Sequence, residues 1–414
     1  MKSYPSFVKT LAFFFVWIPS SWCQTSPGTP SAAMPIVLSS SIRQIATLTS
    51  SDEAVGDSFG SQVLADPSTT VVGAPATPGP CGWGGTIYVF VKPESGWQNM
   101  TQTAELTANN SCLMSLMDFK GDTIVGGQES CTGNGNSGPG ALYVWVKPSS
   151  GWTNRQPDAT LSNDRPGCVD SFAAEAVMND TQDLILGSGG ANQQVFVFAK
   201  PAGGWANMSK PTAVIKAPQG SSQFGASLAI SGNILAVSAP NTVPNGAIYV
   251  FQIGAGGKLT QLALLTTTDG QATGVGFPLV MTHDTIVAGA FLYNNDQGAV
   301  YVFSKPSGGW TNMTETARLT VNNAPSDYPV FGSSVAINPT GQFIIAGYDQ
   351  PGPPAPVAYV FQKPSSGWQT TDTPTAGIFA NGKGASAIAA SRGYFVVTDI
   401  VPSDSLGAAF VFAP

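Results

Sequence analysis

The chain contains one histidine, His283, in a segment that reads as a turn before Asp284-Thr-Ile-Val. A Ser-His-Asp hydrolase sets its histidine against a serine on a tight, exposed elbow, and no Gly-x-Ser-x-Gly sequence is present. His283 therefore reads as a surface turn residue. Paired carboxylates are the other route to acid and base chemistry, as in glycosidases. Asp52, Glu53, Asp57, Asp164, Asp170, Asp269, Asp296, Asp327, Asp349, Asp399 and Asp404 fall in loops. They share no motif and scatter over the length of the chain, so they read as solvated loop acids. No enzyme is expected, and no cofactor.

A metal centre is not expected either. Cys81, Cys112, Cys131 and Cys168 show no Cys-x-x-Cys spacing and have no histidine partner. Four of the chain's five cysteines remain once residues 1–23, which read as a signal, are removed, and an even number in an exported chain suggests two disulfides. Cys81–Cys112 with Cys131–Cys168 would make the same inter-repeat link twice; Cys112–Cys131 with Cys81–Cys168 is the alternative. The sequons at Asn99, Asn109, Asn179, Asn207 and Asn312 read as turn residues, three of them at one repeat position as Asn-Met-Thr or Asn-Met-Ser.

The elements that must carry these residues follow from composition and repetition. Charged residues make up 10% of the 414 residues, while Gly and Pro number 47 and 32. That charge fraction is well below the roughly 25% of ordinary soluble domains, and Lys+Arg 17 against Asp+Glu 24 leaves −7. Helical bundles and basic nucleic-acid binders are excluded; a turn-rich all-β chain remains. An aromatic strand recurs as Ile87-Tyr-Val-Phe90, Leu142-Tyr-Val-Trp145, Val195-Phe-Val-Phe198, Ile248-Tyr-Val-Phe251, Val300-Tyr-Val-Phe303, Ala358-Tyr-Val-Phe361 and Ala409-Phe-Val-Phe412, with spacings of 51 to 58 residues. Each period holds four short β-runs bounded by Gly, Pro, Asn or Asp. Seven such units predict a seven-bladed β-propeller of four-stranded antiparallel blades.

The chain begins with an outer-type strand, Arg43-Gln-Ile-Ala-Thr-Leu-Thr49, and stops on the third strand of the seventh unit. The N-terminal strand is expected to complete the last blade and close the ring. Lys-Pro-x-x-Gly-Trp recurs after the third strand, ending in Trp97, Trp152, Trp205, Trp310 and Trp368. A ring of Trp could stack on sugars; the reading preferred here is hairpin chemistry, with Trp plugging the blade edge.

Phe59-Gly60 followed by Val71-Val-Gly-Ala-Pro75, Phe224-Gly225 with Val237-Ser-Ala-Pro240, and the looser Phe331-Gly332 with Ile345-Ala-Gly347 resemble the FG-GAP repeat of integrin α-subunit propellers and of exported bacterial proteins. The resemblance covers residues 40–414 and implies a propeller with no fixed function. Many relatives bind calcium through Asp-x-Asp/Asn-x-Asp-Gly loops. Here those loops are short, and Asn179-Asp-Thr-Gln-Asp183 lacks the turn Gly, so no calcium site of that kind is expected.

Residues 1–23 read as a secretory signal, with Lys2 and Lys9 ahead of the apolar Leu11–Ile18 run. Residues 24–38 read as a disordered lead-in, and residues 39–414 as the propeller. The expected protein is exported, without a membrane span, and monomeric. The second-to-third and outer-to-inner loops converge on one face, where Trp83, Tyr293 and Tyr328 stand among acids. That pattern suits recognition, so the sequence predicts a non-catalytic binding or adhesion module for a protein or glycan. A carbohydrate-active enzyme and a structural envelope protein are the alternatives.

Overall fold

The computed structural model describes residues 42–52, 54–79, 82–108, 114–128, 140–163, 172–189, 193–254, 258–268, 274–290, 292–322, 330–348, 356–379, 385–399 and 406–413. Within them the chain forms seven blades of four antiparallel strands, two of them extended by a two-residue parallel strand (Met100–Thr101 and Met313–Thr314), and a small hairpin of Pro78–Gly79 with Gly82–Trp83. Blade 1 runs inner to outer as Gln62–Ala65, Thr69–Ala74, Thr86–Val91 and Ala104–Leu106; blade 2 as Ser115–Lys120, Thr123–Gln128, Ala141–Val146 and Ala159–Leu161. Blade 3 is Phe172–Met178, Leu184–Gly189, Gln194–Ala199 and Ala213–Lys216, and blade 4 is Leu228–Ser231, Ile234–Ala239, Ala247–Ile253 and Leu259–Thr266. Blade 5 is Leu279–Met281, Thr285–Ala290, Ala299–Ser304 and Ala317–Leu319, and blade 6 is Ser334–Ile337, Phe343–Gly347, Ala358–Gln362 and Ala376–Ile378.

Blade 7 supplies Ala387–Ala390, Phe395–Asp399 and Ala408–Ala413 from the end of the chain and takes Arg43–Thr49 as its outer strand. Arg43 pairs with Ala413 and Leu48 with Ala409, antiparallel. The inner strands touch their neighbours all the way round, blade 7 against blade 1 included. The ring is closed by the segment the repeat register required.

Burial explains the sequence of each strand. The second and third strands are covered on both sides by adjacent blades, so Thr69–Ala74 is buried throughout and Ile87–Phe90 is continuously apolar. Outer strands alternate, as in Ala104–Leu106. The Phe of Phe-Gly packs on aromatics of its own third strand: Phe59 stands edge-on to Phe90 (6.2 Å), and Phe224 to Phe251 (6.1 Å). The two repeated motifs therefore form one interlock. Gly60 has φ +95° and lies so close to blade 7 that a Cβ would come within 3.0 Å of Thr398 Cβ. Both conformation and space demand glycine there.

In blade 3 the corresponding pair is Phe172-Ala173, and Ala173 holds φ +66° in the left-handed region. In blade 5 it is Val275-Gly276, with Gly276 at φ +107°. Neither position reads as Phe-Gly. A second departure is a four-residue helix, Tyr293–Asp296, where the sequence suggested no helix. No helix among the described residues is long and apolar enough to cross a membrane. Residues 1–41 and Cys81, Cys112, Cys131 and Cys168 lie outside the described residues.

Candidate functional site

The antiparallel meander sends third-to-outer and inner-to-second turns to one face of the ring. The second-to-third and outer-to-inner loops go to the other. On the first face Trp97, Trp152, Trp205, Trp310 and Trp368 are all at most 9% exposed. Each packs in the seam with the preceding blade, and Trp97 meets Tyr394 of blade 7 edge-on at 5.2 Å. Rings this buried cannot stack on a sugar in solution; they are plugs.

The residues after each Trp fasten neighbouring blades. Asn99 Oδ1 accepts the Thr47 N–H at 2.8 Å, Asn154 that of Glu105 at 2.8 Å, Asn207 that of Thr160 at 2.9 Å and Asn312 that of Leu264 at 2.8 Å. Three of the sequon asparagines thus serve as inter-blade clasps. Asn179, at 6% exposure, closes its own turn: its Oδ1 accepts from Asp183 and Leu184, and its Nδ2 donates to Thr181 and Asp183. His283 is exposed, with Lys305 Nζ 3.1 Å from its carbonyl oxygen.

On the opposite face the structure describes part of the set singled out from sequence. The backbone of Trp83 pairs with Pro78 in a two-residue hairpin strand; its side chain and the whole of Tyr328 lie outside the described residues. Tyr293 opens the short helix in the second-to-third loop of blade 5. Its ring is half-buried, with the Arg318 guanidinium 5.2 Å from the ring centre in cation–π geometry. Blades 1 and 5 are not adjacent, so Trp83 and Tyr293 share a face without forming one patch.

Tyr293 walls a cleft of about 190 Å³ at the seam of blades 5 and 6, with Asn294, Gln297, Arg318, Asn322, Phe331, Tyr348 and Asp372 in the lining. Asn322 N–H donates to the Asp372 carbonyl oxygen at 3.0 Å, joining the two blades at its rim. Tyr348 is fully buried, and its hydroxyl has no hydrogen-bond partner among the described residues. Burial, with Tyr359 nearby, pushes that phenol's pKa far above its usual value, so it is a neutral donor at any physiological pH. Of the three aromatics singled out from sequence, Tyr293 is the one the structure places on the wall of this cleft. Tyr348 follows an apolar second strand, reads as core and is buried in it.

Two of the acids singled out from sequence are not solvated: Asp57 is 6% exposed and accepts the Ala54 N–H at 2.8 Å, and Asp399, 3% exposed, ends the second strand of blade 7 and is not in a loop, which corrects the reading of both as solvated loop acids. Asp52 is exposed and accepts the Tyr88 hydroxyl at 3.0 Å. Asp296 is exposed. Glu53, Asp164, Asp170, Asp269, Asp327, Asp349 and Asp404 lie outside the described residues. Among the described residues no group of three His, Cys, Asp or Glu could hold a metal ion.

Two acids that sequence reasoning passed over sit on inner strands. Asp118 of blade 2 is 8% exposed and accepts the Phe119 N–H (2.7 Å) and, across the seam, the Met178 N–H (2.6 Å). Glu175 of blade 3 lies where its strand bulges between Phe172 and Ala176. Burial, then the charge of Asp118, raises its carboxyl to about 8. The inner strand of blade 2 also shifts register, beside Met117. Bulges re-aim side chains, and no repeat pattern announces them. Below this pair, Lys120 Nζ reaches Asp180 at 3.0 Å, and Asp180 accepts the Gly232 N–H of blade 4. A further cavity of about 600 Å³ lies on the Trp-bearing face at the seam of blades 7 and 1, lined by Arg43, Lys92, Trp97 and Tyr394.

A family model for the FG-GAP repeat matches residues 42–90. No curated protein matches the chain. Among solved structures, the WD40 β-propeller domain of Doa1 superposes with a TM-score of 0.53 at 11% identity, covering 90% of this chain and 97% of that one. Two proteins provisionally described as 6-phosphogluconolactonases, from Bacteroides uniformis and Bacteroides fragilis, superpose with TM-scores of 0.52. Their identities are 10% and 13%, covering 74% and 78% of this chain and 82% and 87% of theirs. At these identities the likeness is one of fold. The molecule belongs to the class of seven-bladed β-propellers. More particularly, its residues 42–90 match the FG-GAP repeat, and the Phe-Gly interlock of that segment recurs in the ring at Phe224 and Phe331.

Proposed function

We propose that the chain is an exported, non-catalytic binding or adhesion module that engages a protein or glycan through the face carrying the second-to-third and outer-to-inner loops. The observation that carries this reading is the blade 5–6 cleft, where Tyr293 and the polar side chains of Asn294, Gln297 and Arg318 converge at that face. Aromatic walls with a few placed polar groups are the usual make-up of a recognition site. Export rests on the signal-like residues 1–23 and on the cysteines. The Met114 N–H donates to Gly84 O at 3.1 Å, so the chain just after Cys112 lies against the chain just after Cys81. That contact favours Cys81–Cys112, and with it Cys131–Cys168.

The test is a glycan and cell-surface-protein array probed with the oxidised protein and with a Trp83→Ala, Tyr293→Ala, Tyr328→Ala variant. Binding that disappears in the variant supports the face assignment; unchanged binding refutes it. A second reading, a carbohydrate-active enzyme, draws on the Asp118–Glu175 pair, since a carboxyl protonated near neutral pH is a candidate general acid. It requires turnover of a glycoside that Glu175→Gln abolishes while the fold is kept.

A further inference from the structure

Exposed apolar side chains are sorted between the two faces. Among the described residues, the large hydrophobic side chains that stand well out in water are Val55, Val214, Val243, Leu292, Phe379 and Leu406. Val214 lies on the outer strand of blade 3. All the others sit in second-to-third or outer-to-inner connections, on the face opposite the buried Trp residues. They follow one another round the ring: Val243 in blade 4, Leu292 in blade 5, Phe379 between blades 6 and 7, Leu406 in blade 7 and Val55 between blades 7 and 1. Val243 is 85% exposed. A single exposed apolar residue is ordinary, but a set gathered on one face marks an interaction surface. We infer that this arc docks a protein whose own surface is an apolar patch rimmed by Lys and Arg; this deepens the binding reading above and rests on it.

Charge selects the partner. In sequence, the connections that run to this face contain eleven Asp or Glu against two Lys or Arg, Arg165 and Lys383. Those on the Trp-bearing side contain nine of each. The net negative charge of the chain is therefore gathered in the connections that carry the apolar arc, where Asp52 and Asp296 are exposed. A basic surface gains complementarity and is steered toward this face. An anionic bilayer, or a second copy presenting the same face, is repelled. The side chains make the same choice between protein and glycan. Sugars stack on flat aromatic rings, and in this arc all but Phe379 are the aliphatic Val or Leu. Aliphatic groups gain by leaving water against another apolar surface, which a protein offers and a hydroxylated sugar does not.

The experiment measures binding of labelled amphipathic peptides to the oxidised protein by fluorescence anisotropy. One peptide is built of Leu and Lys, a second of Leu and Glu, and a third of Ser and Lys. Vesicles of phosphatidylcholine, with and without phosphatidylserine, are the lipid probes. The Leu–Lys peptide should bind about tenfold or more tightly than either other peptide, and neither vesicle should bind. Val243→Ser combined with Phe379→Ser and Leu406→Ser should weaken the Leu–Lys peptide about tenfold or more. The melting temperature should not change, because all three side chains already stand in water. Val214→Ser, the matched change away from this face, should bind as wild type does. No binding of the Leu–Lys peptide, equal binding of the Ser–Lys or Leu–Glu peptide, binding to vesicles, or wild-type affinity in the triple variant overturns the inference. The broader reading is judged separately, by the array result for the Trp83, Tyr293 and Tyr328 variant. A glycan captured there through this face would keep that reading and refute this one.

Discussion

The two faces of the ring solve different problems. On the Trp-bearing face five turns repeat one solution: Gly96, Gly151, Gly204, Gly309 and Gly367 hold φ of 97°, 96°, 102°, 96° and 96°. Each precedes a buried Trp, and in four of the five an Asn clasp follows at the same offset. The fifth uses Thr370, whose hydroxyl accepts the Arg318 N–H at 3.1 Å. On the other face the described loops diverge, with a two-residue hairpin in blade 1 and a helical turn in blade 5. Where inter-blade packing fixes the geometry, the repeat is kept; where nothing packs above the loops, sequence is free to vary. Variation on a rigid scaffold is where recognition is built.

The contrast is broken most easily by truncation. Trp152→Ala removes a 4%-exposed plug from the seam of blades 1 and 2 and should cost about 3–5 kcal/mol in urea unfolding. Tyr293→Ala, half-buried on the divergent face, should cost about 1 kcal/mol or less. Similar losses for the two would erase the distinction between the faces.

The axis of the ring gives the next largest effect, through pH. Glu175 is carried near pH 8 in the folded chain, against an ordinary value of 4.5. Between those values the unfolded state binds fewer protons, so stability should fall as pH rises from about 4.5 to about 8. Glu175→Gln should flatten that slope and raise stability at pH 8 by about 1–3 kcal/mol, the range being reduced because the side chain is part-exposed. At pH 4 it should change little. A pH profile identical to wild type would contradict the placement of this carboxyl.

Smaller effects sharpen the account of the repeated face. Asn154→Ala should cost about 1 kcal/mol through loss of the Glu105 clasp. Gly96→Ala should cost about 1 kcal/mol from its φ alone, because a Cβ there would meet nothing within 4 Å. Non-reducing against reducing peptide maps should show Cys81 linked to Cys112; linkage of Cys112 to Cys131 would refute the loop-to-loop contact drawn above.

Most of the architecture was legible in the sequence because it is periodic. The third-strand aromatics counted the blades, and the orphan strand at Arg43 announced its pairing with Ala413. The placement of Tyr293 in the second-to-third loop of blade 5 was legible from the same register. What escaped notice is aperiodic. Ala173 in a glycine's conformation and the bulge carrying Glu175 break the repeat within one hairpin, and Asp118 bridges two blades through a contact between residues 60 positions apart. Tyr348 escaped because a hydroxyl left without a partner among the described residues is a property of its neighbours and not of its residue type.

The central claim is that recognition belongs to the divergent face. It is tested most directly by measuring affinity for the array-identified partner in two variants side by side. One is Tyr293→Ala; the other is Lys92→Ala with Lys363→Ala, altering two turn lysines on the Trp-bearing face. Tenfold or greater weakening in the first, with wild-type affinity in the second, is the expected result. Loss of affinity in the lysine variant while Tyr293→Ala binds normally would contradict it.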